Sequence, residues 1–157
     1  MDGICKLCQK KGELRKSHII PEFLYESIYD EKHRGIYLAK EPERTLKYEQ
    51  KGIRELLLCS DCEVYLSQYE GYGKKILSDI QEQNSSSKAD FYILKNIEYA
   101  KFKLFLISVL WRAGISSIDF FSKITLSKNH EIRMREMLLK RDPGEPYEYG
   151  CAITENK

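Results

Sequence analysis

Apolar positions recur at helical spacing in the second half of the chain. Phe91, Leu94, Phe102, Phe105, Leu106, Val109 and Leu110 share one side of a 3.6-residue repeat, interrupted near Asn96 and Glu98. They predict a core helix, in which Lys103 and Arg112 break the apolar run. Residues 127–140, SKNHEIRMREMLLK, predict another helix, stopped by Asp142, Pro143 and Gly144. Signals in the first half are shorter. Pro21 opens the helix-like stretch PEFLYESIYDE, with Phe23, Leu24, Ile28 and Tyr25 forming its stripe. IRELLL reads as a strand, followed by a helix from about Asp61 that carries Val64, Tyr65, Leu66 and Tyr69 on partly buried faces. Between them, residues 32–52 are charged and punctuated by Gly35, Pro42 and Gly52, which leaves room for one strand at 35–39. Residues 1–20 read as a knuckle and a short hairpin, with Lys11 and Gly12 marking the turn.

The polar, serine-rich QEQNSSSK has no periodicity and marks a linker. The expected division is therefore residues 1–80, a linker at 81–90, and a helical extension at 91–157 that packs on the first unit or on a partner. A chain of 157 residues suits one domain or a small domain with an attached module. The formal charge of +2, from 26 basic and 24 acidic residues, neither predicts nor excludes nucleic-acid binding. Local patches decide that question, and Arg133, Arg135, Lys140 and Arg141 read either as a solvated helix face or as phosphate contacts. No apolar leader follows Met1, and the uncharged run at 104–111 is far short of the roughly 20 residues that span a bilayer. A soluble, cytoplasmic protein without membrane contact is expected.

Five cysteines change the picture. Cys5 and Cys8 form CKLC, Cys59 and Cys62 form CSDC, and Cys151 stands alone. An odd count without a secretion signal argues against a disulfide scaffold. Two residues between sulfurs let one tight turn present both to the same ion, and zinc accepts four thiolates as a closed tetrahedron. Either pair taken singly also fits a redox motif, but that chemistry needs a preceding strand in a βαβ unit, which nothing near Cys5 supplies. Cys5, Cys8, Cys59 and Cys62 thus read as a structural zinc site, with the metal contributing folding energy to a unit that has little core.

His18 lies in RKSHIIPEFL. A neutral imidazole accepts a proton from water near neutral pH, so this is either a general base or a packed histidine bordering a turn. Phosphodiester hydrolysis would also need positive charge on the transferring group, usually a divalent metal. Glu63 follows Cys62 and would be drawn in by the zinc site; Glu22, Glu26, Glu55, Glu70 and His33 are further ligands within reach.

CKLC, SHIIP and LLLCSDCE, in that order over residues 5–70, resemble the zinc-containing HNH nuclease family. The resemblance implies an α+β fold, with a zinc-stabilised ββα-metal (treble-clef) unit elaborated here by a mainly helical C-terminal half. It implies His18 as general base and the four paired cysteines as zinc ligands. Ser17 stands where the family carries an acidic metal ligand, and Glu63 where it carries a histidine. Arg54 and Glu55 occupy the region of an expected asparagine. On this pattern the chain is a divalent-metal-dependent endonuclease using Mg²⁺ or Mn²⁺ on DNA or RNA, with Arg15, Lys16 and Arg54 touching phosphates. The other reading keeps the zinc fold without catalysis, as a nucleic-acid-binding or protein-interaction module whose helical half carries a homodimer or partner interface. The endonuclease is the leading expectation; the substitutions at the metal-ligand and asparagine positions, and the modest net charge, support the second reading.

Overall fold

The computed structural model describes residues 1–26, 29, 31, 35–37, 47–49, 52–86 and 96–151, with only the backbone at 35–37, 47–49 and 83–86. Its elements are β1 (Asp2–Ile4), β2 (Lys11–His18), β3 (Gly35–Tyr37), β4 (Lys47–Glu49), β5 (Arg54–Cys59), α1 (Ser60–Ser86), α2 (Tyr99–Ile115) and α3 (Lys128–Lys140). The fold is α+β: an N-terminal ββα unit built around four cysteines, with a mainly helical C-terminal half.

β2 is the central strand of an antiparallel sheet ordered β1-β2-β5, and β3 pairs separately with β4. Lys11 and Gly12 do not form the hairpin turn; they pair with Ile4 and Gly3 at the start of β2. The reversal falls earlier, inside the first cysteine loop, where the Cys5 amide donates to Lys10 O and Gln9 takes a left-handed φ of 62°. After Pro21 the chain makes one 3-10 turn, Glu22–Leu24, instead of opening an α-helix there. Ile28, Leu38, Ala39, Phe91 and Leu94 lie outside the described residues.

α1 starts one residue before Asp61 and runs to Ser86, through the first part of the stretch read as a linker. Gln81 and Glu82 are exposed, as their polarity implies, but polarity did not signal a helical backbone. Val64, expected on a partly buried face, is exposed. α2 begins just after the interruption at Asn96, whose φ is 59°. α3 ends on Arg141 in the left-handed conformation, ahead of Pro143. No helix among the described residues is long and apolar enough to cross a membrane.

Among the described residues one core runs from the cysteine loop to α3, joining Cys5, Leu7, Leu57, Leu66, Phe105, Trp111, Met134 and Leu138. Leu110, read as part of the apolar stripe of α2, is half exposed, while Lys103 and Arg112 are buried. Both cations find oxygen partners. Lys103 Nζ donates to Glu145 O (2.7 Å), and Arg112 is held by backbone carbonyls and Glu70.

α1 and α2 pack antiparallel, and the close approach falls at Gly73. A Cβ placed there would lie 2.5 Å from the Phe105 ring, whereas one at Gly71 would meet nothing within 4 Å. Gly73→Ala is therefore expected to cost about 1–3 kcal/mol through overpacking, despite alanine's better helix propensity. Gly71→Ala should stabilise by up to about 1 kcal/mol. Urea denaturation midpoints that move in opposite directions would bear this out; equal shifts would contradict the contact.

Candidate metal centre and histidine cluster

The two cysteine pairs come from different kinds of local structure. Cys5 and Cys8 lie in the tight loop between β1 and β2, and Cys59 ends β5 just before Cys62 in the first turn of α1. Pairing of Leu14 with Cys59 across β2 and β5, together with donation from the Lys6 amide to Leu57 O (2.9 Å), brings the loop onto the strand end. All four sulfurs lie within 4.8 Å of one another, and Cys8 Sγ is 3.8 Å from Cys59 Sγ. A zinc–sulfur bond of about 2.3 Å in tetrahedral geometry sets sulfurs about 3.8 Å apart, so the donor set fits a closed structural zinc site. Cys151 is exposed and outside this group.

The thiols differ in acidity. Burial opposes ionisation of Cys5, but backbone amide hydrogen bonds at Cys59, Cys8 and Leu7, with one from the Cys8 thiol, bring it down to about 7. Burial pushes Cys62 well up, and the neighbouring sulfurs add to the effect. Metal binding would displace the Cys62 proton. α3 closes over the loop: Arg135 Nη1 donates to Leu7 O, between the first two ligands (2.8 Å).

His18 ends β2, opposite Arg54. Arg54 Nε donates to His18 Nε2 at 2.9 Å, and Glu22 Oε2 lies 3.8 Å from the same nitrogen. Since arginine can only donate, Nε2 is the unprotonated nitrogen and a neutral ring carries its proton on Nδ1. In this arrangement the basic lone pair faces a guanidinium. The His18 carbonyl accepts from Arg112 Nη1 (2.8 Å), which also pairs with Glu70 Oε1 (2.7 Å).

Ser17 does not share this setting. It is fully buried, and among the described residues its hydroxyl makes a long 3.5 Å contact to Arg15 O. Strand alternation turns it to the face opposite His18. The register shifts between Arg15 and Lys16, with Leu57 the extra residue on β5, so that Leu57 and Leu58 are both buried; Arg15 and Lys16, opposite the shift, are both exposed. Glu63 sits in the first turn of α1, and its Oε1 is buried without a hydrogen-bond partner among the described residues. The carboxylate linked to His18 through Arg112 is instead Glu70, two helical turns or about 10 Å further along α1.

Of the other candidate ligands, Glu26 pairs with Lys74, and Glu55 accepts from Ser116 Oγ and the Ser117 amide, tying β5 to the end of α2. His33 lies outside the described residues. The basic residues Arg133, Arg135 and Lys140 of α3, and Arg141 at its C-cap, each have a partner within the chain. Arg133 makes two bonds to Glu148, Arg141 lies over the Tyr65 ring, and Lys140 meets Glu136. The Arg54–His18 pair joins residues 36 apart, and sequence reasoning missed it; the only signal was that Arg54 stands two residues ahead of an apolar strand run. No protein-family model, curated protein or solved structure matches the chain.

Proposed function

We propose that this chain is a zinc-stapled nucleic-acid-binding module that uses the ββα frame without cutting the strand. The observation that carries this reading is the Arg54–His18 bond, which occupies the lone pair a general base would need. Burial of Ser17 removes a ligand from the face that carries His18. Exposed Lys6, Lys10 and Lys11 on the cysteine loop and the start of β2, with Arg15 and Lys16 opposite the register shift, supply phosphate-directed charge. The Arg15–Glu13 pair (3.5 Å) is solvent-exposed and yields easily to a phosphate.

The test is fluorescence anisotropy of labelled single- and double-stranded oligonucleotides, of DNA and of RNA, titrated with zinc-loaded protein at several salt concentrations. The expected result is binding that weakens steeply with salt. The double variant Arg15→Ala/Lys16→Ala should flatten the log–log salt slope by about 2 and weaken binding to all sequences alike. A variant that binds with the parent slope would remove this surface from the interface.

One observation favours metal-dependent hydrolysis as a second reading. A buried carboxylate oxygen without a partner among the described residues, as at Glu63, is a group that Mg²⁺ or Mn²⁺ would satisfy. Such an ion would supply charge stabilisation for phosphodiester cleavage. His18 would then have to release Arg54 to accept a proton.

A further inference from the structure

Arg112 is 1% exposed, and its guanidinium joins three elements. Nη1 donates to His18 O at the end of β2 (2.8 Å) and pairs with Glu70 of α1 (2.7 Å), while Nε donates to Ser108 O one turn back in α2 (3.2 Å). Nη2 is buried without a hydrogen-bond partner among the described residues. A buried cation with one donor uncommitted is an expensive way to join helices, since apolar side chains of similar volume often do as well or better. What apolar packing cannot do is grip a main-chain carbonyl in a fixed direction. His18 is the last residue of β2; the Ile19 amide just beyond it still donates to Ile53 O (3.0 Å), and the bond from Arg112 is the hold on the strand end that comes from the helical half. Its ring must also meet Arg54 Nε at 2.9 Å.

We propose that Arg112 is a positioning residue for His18. It fixes the backbone at the end of β2 so that the imidazole presents Nε2 to Arg54, and Glu70 holds the guanidinium plane in place. α2 then belongs to the frame of the histidine cluster instead of being an appendage to the zinc unit. What the cluster binds rests on the nucleic-acid reading above; the positioning does not. Lysine is an incomplete replacement, because its ammonium could serve the carbonyl and the carboxylate but lacks the separate Nε donor that ties the guanidinium plane to Ser108 O.

The test uses the full, zinc-loaded chain with ¹⁵N-labelled histidine. Ring-nitrogen shifts report which nitrogen of His18 carries the proton, and His18→Ala assigns its signals. Zinc content and amide dispersion certify the fold. Arg112→Met is expected to remove the Nδ1–H preference of His18 and to weaken oligonucleotide binding about tenfold. Arg112→Lys should fall between parent and Arg112→Met. If Arg112→Met fails to fold, Arg112→Lys and the near-isosteric Glu70→Gln carry the reading, each displacing the same signals in the same direction. Parental His18 ring shifts in a folded, zinc-loaded arginine variant would overturn the proposal. Should the parent protein bind no oligonucleotide, the functional reading falls, while the ring shifts still decide the positioning.

Discussion

Replacing Cys62 by serine, or stripping zinc with a chelator, is expected to unfold the β1-β2-β5 sheet and the start of α1. The expected loss is on the order of 10 kcal/mol, the scale of structural zinc sites in small domains. It is comparable to the whole stability of a domain this size, so the change should be qualitative. The reason lies in the construction of the unit. The edge strand β1 has three residues, and the cysteine loop is joined to β5 by the Lys6–Leu57 hydrogen bond and by the four clustered sulfurs. Circular dichroism and amide exchange should show the sheet lost and then restored by stoichiometric zinc. A melting transition unmoved by metal removal would rule out a zinc staple.

Acid should act in the same direction. Bound ligands are thiolates, so protons compete with the metal and stability falls as pH falls. Below about 7 even Cys5 regains its proton in the metal-free site, and the competition steepens. A chromogenic chelator would report zinc release rising on acidification.

Phe105→Ala carries the second large effect. The ring is buried over Gly73, 5.9 Å from Phe23 and 6.1 Å from Phe102, and so joins the two halves of the chain. Truncating a buried phenylalanine costs about 3–5 kcal/mol through lost transfer energy and the cavity left behind. For a chain of this length that lowers the melting temperature by roughly 10 °C. Two probes make the result more than a stability measurement. Trp111, the single tryptophan, reports the helical half, and cobalt substituted for zinc reports the cysteine site. Both should shift together, because one core includes Cys5, Cys62, Phe105 and Trp111. A tryptophan transition that moves while the metal site stays put would show two independently folding halves.

The cysteine site was fully legible because its signal is local. Two CxxC pairs specify ligand geometry whatever lies between them, and the strand before Cys59 and the helix after it were clear from polarity and spacing. Legibility failed where distant residues decide. The helical state of residues 81–86 was hidden because their polarity fits an exposed helix as well as a loop. Lys103 and Arg112 read as breaks in an apolar face, and their burial depends on Glu145 O, Glu70 and His18 O, none adjacent in sequence. The register shift at Leu57 of β5, opposite Arg15 and Lys16, has no glycine to announce it. The histidine motif was visible, but its tautomer is set by Arg54 across the sheet.

The most direct test of the central claim is a gel that follows binding and strand integrity together. Labelled oligonucleotides of DNA and RNA, single- and double-stranded, and supercoiled plasmid are incubated with the zinc-loaded protein in Mg²⁺, Mn²⁺ or chelator-treated buffer. The His18→Ala variant is run alongside. The expected result is nucleic acid retarded in a salt-sensitive way and recovered intact in every lane. Cleavage that requires the added divalent ion and disappears in folded, zinc-loaded His18→Ala would contradict it, and would make His18 a general base.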